Sequence, residues 1–202
     1  MDLASQGLRL LPALLAGACV WTLAEYVLHR VVFHELSQTA VGASEHRKHH
    51  AEPDYFAPAW QKALAALAVT GLLLPGISLM AGPAIGASFT AGFIAMYLAY
   101  EVLHRRCHTH PPRGAYGRWR RRNHFAHHFA DPHRGHGVTT PIWDHVFGTT
   151  LRVDRVRVPR RLAMRWLVDG EGRLRAPFAR DYELVGRAQD EARAPRADER
   201  SA

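Results

Sequence analysis

Three long apolar runs restrict what this chain can fold into more than any other feature. A helix needs about 20 mostly apolar residues, at a rise of about 1.5 Å each, to cross a hydrocarbon core of roughly 30 Å. Leu8 to Leu28 carries only Arg9 and Glu25 as charges, Ala63 to Ala81 carries none, and Pro83 to Leu103 carries only Glu101. Gly82-Pro83 separates the last two runs and predicts a tight turn, hence a helical hairpin. A soluble helical bundle is the competing arrangement, but a buried core helix is rarely apolar for so long. Composition agrees with membrane spans: 48% hydrophobic residues coexist with a mean hydropathy of -0.19, so apolar and polar segments are separated rather than mixed.

Length allows one domain with its own core and leaves no room for a fused redox domain. The formal charge of +8 is almost wholly arginine, because Lys48 and Lys62 are the only lysines. Arg30, Arg47 and Lys48 follow the first run, and Arg105, Arg106, Arg113, Arg118, Arg120, Arg121 and Arg122 follow the third. By the positive-inside rule this predicts an N-terminus outside and both arginine-rich segments in the cytoplasm. The arginine run from 113 to 122 reads first as this topological signal with contact to anionic headgroups, and second as a dock for an acidic electron-transfer protein. Nucleic acid is excluded as a partner, since no nucleic-acid motif accompanies the charge. Cys19 and Cys107 form no disulfide framework, and no cleavable signal stands out.

Ten of the fourteen histidines fall into four groups: His29 and His34; His46, His49 and His50; His104 and His108; His124, His127 and His128. Residues at i, i+3 and i+4 share one side of a helix, so each triplet projects its imidazoles into a small volume, as does the i, i+4 pair of His104 and His108. His29 and His34 are five apart, which turns about 500° and leaves them far from a common face. One of them is therefore expected past a helix end or on a distorted turn. The chain also repeats itself: Ala24-Glu25-Tyr26-Val27-Leu28-His29-Arg30 is similar to Ala99-Tyr100-Glu101-Val102-Leu103-His104-Arg105, and each stretch leads to a second histidine and then a His-x-x-His-His triplet. Two similar halves would thus deliver ligands to one place, with the hairpin of spans accounting for the long interval between His50 and His104.

Imidazole suits zinc, copper, iron and nickel, so ligand type alone does not choose the metal. Ten imidazoles exceed the four ligands of a structural zinc and fit two neighbouring ions with room for oxygen or water. Histidine ligands usually donate their other ring nitrogen to a carboxylate or carbonyl, and Glu25, Glu45, Glu101 and Asp131 lie close enough in sequence to be candidates for that support. A zinc protease is excluded: His34-Glu35-Leu36-Ser37-Gln38 lacks the second histidine of His-Glu-x-x-His. A metal transporter or metal-binding protein is a rival of another class, but transporters place ionisable groups near the membrane midplane, whereas here every histidine group lies at one end of a span.

The order His-x4-His, His-x2-His-His, His-x3-His, His-x2-His-His, with a hairpin of spans between the second and third, resembles the fatty acid hydroxylase (sterol desaturase-like) superfamily. Gly137 to Thr149, reading Gly-Val-Thr-Thr-Pro-Ile-Trp-Asp-His-Val-Phe-Gly-Thr, resembles the signature that closes that family's domain, and the likeness covers roughly residues 20 to 150. The resemblance implies two irons that activate O2 and insert one oxygen atom into a lipid C–H bond, with two electrons from a separate electron-transfer protein. Zinc could replace iron in purified protein. Carried over group by group, it makes the ten grouped histidines the metal ligands and reads Trp143, Asp144, Phe147 and Gly148 as support near the site. His110, His133, His136 and His145 depart from the pattern and are additional candidate ligands. A fatty acyl or sphingolipid chain is the expected substrate, with a carotenoid or sterol hydroxylase or desaturase as the alternative of the same chemistry.

The fold expected from these readings is an all-α integral membrane protein of about three to four transmembrane helices with a cytoplasmic helical cap holding a histidine-rich dimetal site. Residues 1–150 would form the membrane-embedded domain and 151–202 a cytoplasmic C-terminal extension, with a short strand or helix around Leu151 to Leu167 and disorder after about 187.

Overall fold

The computed structural model describes residues 3–36 and 42–186. The first span is helix α1 (Leu3–Val27) continued without a break by a π-helix (Leu28–Glu35). A short helix α2 (Ala43–Ala51) leads to the hairpin of α3 (Ala59–Ala81) and α4 (Pro83–Thr109), then come α5 (Gly114–Phe129) and the one-turn α6 (Ile142–Val146). Three helices, over Gly7–Glu35, Ala59–Ala81 and Pro83–Thr109, are long and apolar enough to cross a membrane. The hairpin turn is the single residue Gly82, whose φ of 93° lies in the left-handed region that favours glycine.

Span length positions the chemistry. From Gly7 to His29 and from Pro83 to His104 the helical rise is about 32 Å in each case, one hydrocarbon thickness. The first histidine of each half therefore emerges at the edge of the apolar layer.

The spans pack through backbone contact. A Cβ on Gly17 would lie 2.0 Å from the Phe89 carbonyl oxygen, and one on Gly92 would lie 1.9 Å from that of Leu14, so α1 and α4 approach more closely than any side chain at these positions would allow. Small residues at such crossings are the usual basis of helix association in lipid. Trp21 of α1 fills the next layer against Phe93, Tyr97 and Tyr100 of α4. Helix α3 has no buried residue and leaves Leu64, Leu67, Leu72 and Leu79 exposed, as a lipid-facing helix should.

Beyond the spans, the segment after residue 150 adds two strands to the helical fold. β1 (Val156–Pro159) and β2 (Tyr182–Val185) pair in parallel, Val156 opposite Tyr182. Val156, Val158, Met164, Trp166, Leu167 and Tyr182 form one buried cluster with Cys107 of α4 and Phe125 and Ala126 of α5, and the Trp166 indole donates to the Cys107 carbonyl at 3.0 Å. This cluster backs the histidine-bearing turns of α4 and α5, with the Phe125 ring 5.1 Å from that of His108 and 5.5 Å from that of His124. Residues from 187 onward, where the sequence reads as disordered, lie outside the described residues.

The arginine run is divided by the fold. Arg118 is exposed, while Arg120 and Arg121 are buried. Arg121 donates to the carbonyls of Arg106 (2.6 Å), His110 (2.8 Å) and Gly117 (3.2 Å), closing the C-terminal end of α4 against α5. Arg122 donates to the Val153 carbonyl. Arg121 and Arg122, which read from sequence as part of a membrane-facing patch, are thus engaged with backbone carbonyls instead.

Candidate metal centre

The ten grouped histidines converge on two pockets, each with ligand atoms within 4.8 Å of one another: His29, His34, His46, His50 and His127 in the first, His49, His104, His108, His124 and His128 in the second. Each pocket takes one histidine pair whole and shares both triplets with the other. In each triplet the i and i+4 members stay together while the i+3 member crosses to the other pocket, His49 to the second and His127 to the first. Helical geometry explains the split. At about 100° per residue, His46 and His50 lie about 40° apart while His49 sits about 100° from His50, so one triplet fans widely enough to face two ions. The sequence repeat is therefore interlocked, each half lending its central imidazole to the other.

The π-helix solves the five-residue spacing of the first pair. Its i→i+5 bonding widens the turn, bringing His29 and His34 onto one side with ring centroids 5.3 Å apart.

Ring nitrogen spacing fits shared ions. His34, His46 and His50 form a chain of Nε2···Nε2 separations of 3.0 Å, His34 and His127 stand at 3.1 Å, His49 and His104 at 3.0 Å, and His108 and His124 at 2.7 Å. Two imidazoles at right angles on one ion, each about 2.1 Å from it, would place their nitrogens about 3.0 Å apart. The outward nitrogens supply the matching support: Nδ1 of His29 donates to the His136 carbonyl (2.6 Å), that of His49 to Tyr55 (2.7 Å) and that of His127 to Arg134 (2.9 Å). A proton held at Nδ1 leaves the Nε2 lone pair facing inward. Nε2 of His29 and both nitrogens of His128 are buried without a protein partner. Burial, with neighbouring histidines adding to it, holds His46, His124, His127 and His128 well below the usual imidazole range, and burial brings His49 to about 4 and His50 to about 3. These rings are neutral at physiological pH, the form that binds metal.

The carboxylates near the groups act one step further out. Among the described residues no hydrogen bond joins Glu25, Glu45, Glu101 or Asp131 to a grouped histidine ring; the three acceptors just named are backbone carbonyls. Glu25 accepts the N–H groups of Val138 (2.6 Å) and Thr139 (2.9 Å) and the Thr139 hydroxyl, tying α1 to the loop that carries His136. Glu45 binds Tyr55, whose carbonyl holds His49, and Glu101 pairs with Lys62 across the hairpin. Asp131 accepts the His133 N–H after the end of α5. Asp144 accepts the N–H groups of His136 (2.9 Å) and Gly137 (2.8 Å) and the Thr149 hydroxyl, while the Trp143 indole donates to Thr22 of α1. Phe147 stacks on Tyr26. The roles of Tyr55 and Arg134 as carbonyl supports have no signal in the sequence, because any residue type can offer its carbonyl.

The four histidines outside the groups separate cleanly. His110, His133 and His145 are exposed, His110 and His145 bonding to the hydroxyls of Thr109 and Thr150. His136 alone is buried beside a pocket, at 1% exposure.

The family model for fatty acid hydroxylase matches residues 14–149. A dihydroceramide fatty acyl 2-hydroxylase of Arabidopsis thaliana is 30% identical over 140 residues, which is 66% of this chain and 58% of that enzyme. The fatty acid 2-hydroxylase of Homo sapiens is 29% identical over 140 residues, 66% of this chain and 38% of that enzyme. A solved structure of full-length scs7p, in which only the hydroxylase domain is visible, aligns with a TM-score of 0.59 at 26% identity, covering 73% of this chain and 61% of that one. The chain thus spans little more than half of the first of these relatives and less than half of the second. With three apolar spans, two five-histidine pockets and a family match from the first span through the closing Trp-Asp segment, this integral membrane chain belongs to the fatty acid hydroxylase family.

Proposed function

We propose that this chain catalyses O2-dependent hydroxylation of a lipid C–H bond, on a fatty acyl or sphingolipid chain, at two iron ions held by the two five-histidine pockets. The observation that carries the reading is the convergence of ten imidazoles, five to a pocket, with inward nitrogens about 3 Å apart. The names of the relatives, fatty acid and dihydroceramide fatty acyl 2-hydroxylases, favour an acyl chain over a carotenoid or sterol.

Bound irons would supply O2 activation and cleavage of the C–H bond, with the overall balance R–H + O2 + 2 electrons + 2 protons giving R–OH and water. The protein's share is position and exclusion of water. His29, His34, His46, His50 and His127 hold one ion, and His49, His104, His108, His124 and His128 the other. The carbonyls of Tyr55, Arg134 and His136 fix ring orientation, and the core of Phe125, Trp166 and Leu167 closes the site from behind. The lipid chain enters from the bilayer side, where His29 and His104 stand at the ends of the spans. The electrons come from a separate electron-transfer protein, and the arginines at the histidine-bearing end support a cytoplasmic location for the site with the N-terminus outside.

The test is metal analysis of detergent-purified protein followed by O2 uptake and mass analysis of lipids offered by class. Two irons per chain and a product heavier by one oxygen atom support the reading; loss of two hydrogens would instead mean desaturation. One tightly held zinc with no O2 chemistry, or metal flux into vesicles, would overturn it.

A further inference from the structure

His136 lies outside the four histidine groups, in the loop between α5 and α6, and both ends of its peptide unit are committed. Its N–H donates to Asp144 and its carbonyl accepts from the His29 ring. The side chain is 1% exposed, and neither ring nitrogen makes a well-formed hydrogen bond; the ring's one backbone contact is with His133. A buried imidazole whose nitrogens lack well-formed hydrogen bonds is unfavourable unless something accepts or ligates them. Asp144, the nearest carboxylate, already takes three donors.

What surrounds the ring is the first pocket. Its centroid lies 5.3 Å from that of His127, 5.4 Å from His29 and 5.7 Å from His34. Where rings of that pocket's five histidines touch, their centroids lie from 4.4 Å (His29 and His127) to 6.5 Å (His46 and His127) apart; the three His136 separations fall within that range, with its nitrogens just outside the set of ligand atoms lying within 4.8 Å of one another. The three other histidines outside the groups are exposed, so among the described residues the second pocket has no counterpart.

We propose that His136 is a sixth nitrogen ligand for the ion in the first pocket, which makes the two metal positions unequal, six nitrogens against five. The first ion is then held more tightly, and the position left open for oxygen or water belongs to the second. This rests on the metal occupancy proposed above.

The experiment compares the full chain with His136→Phe and His136→Gln, and with His133→Phe as a control at an exposed histidine. Each is loaded anaerobically with iron(II), and three quantities are read: iron per chain, the rate of release to a competing chelator, and the Mössbauer spectrum with enriched iron. The expected result is two irons in wild type, released in two phases and giving two distinct signals of equal area. Both His136 variants should speed the slow phase by at least about tenfold and alter one signal only, as expected when a ligand contact is lost, while His133→Phe matches wild type. Release rates and spectra unchanged in both variants, or two equivalent irons in wild type, would overturn the inference while leaving the metal centre intact. The wild-type spectrum distinguishes unequal from equivalent irons even where a variant fails to fold. A wild-type chain that binds no iron would overturn the centre itself and His136 with it.

Discussion

Replacing Glu25 by alanine should be among the most damaging single changes outside the ten grouped histidines, and the structure gives its size. Glu25 is 3% exposed, and one carboxylate oxygen accepts both the Val138 and Thr139 N–H groups while the other accepts the Thr139 hydroxyl. Alanine strands two backbone donors where water does not reach. At about 1–3 kcal/mol for each unsatisfied buried group, the loss is about 2–6 kcal/mol, the hydroxyl being free to rotate. Glutamine keeps one oxygen for the two N–H groups and turns its amide toward a hydroxyl that can accept, so its cost is the difference between charged and neutral hydrogen bonds, about 1 kcal/mol. Equilibrium unfolding in detergent, followed by tryptophan fluorescence, measures both. Metal retention should fall with stability in the alanine variant, because the loop that Glu25 anchors also carries the carbonyl that orients His29. An alanine variant within about 0.5 kcal/mol of wild type, or a glutamine variant as damaged as the alanine one, would refute the reasoning.

Gly92→Ala places a Cβ 1.9 Å from the Leu14 carbonyl oxygen and should cost about 1–3 kcal/mol by forcing α1 and α4 apart, whereas Gly71→Ala meets nothing within 4 Å and should gain about 0.5–1 kcal/mol from helix entropy. Equal unfolding energies for the two would contradict the close approach. His49→Ala and His127→Ala each remove a ligand from the pocket built mainly by the opposite half, so each should lower bound metal from two ions toward one and abolish product; full activity in both would sink the metal assignment. Arg121→Lys keeps the charge but cannot reproduce three bonds from one planar guanidinium, and amide hydrogen exchange over residues 106–117 should quicken; unchanged exchange would mean the clamp is not needed.

The sequence by itself determined the three spans, the hairpin turn at Gly82 and the ten histidines that meet, because span length and helical spacing are properties of short stretches of chain. It also signalled a distortion between His29 and His34, since a spacing of five cannot share a face in a regular α-helix. Only the tertiary structure decided which imidazole serves which pocket. The i+3 histidine of each triplet leaves its neighbours according to how α2 and α5 face each other, and nothing within either triplet records that approach. The parallel pairing of Val156–Pro159 with Tyr182–Val185 was hidden for a similar reason, as no turn links the strands and the pair exists only by packing on Phe125 and Cys107. Arg121 and His136 make the point at single positions. One reads as surface charge and the other as a stray histidine until the carbonyls of α4 and the rings of the first pocket are brought beside them, by contacts such as Glu25 to Thr139 that join residues more than a hundred positions apart.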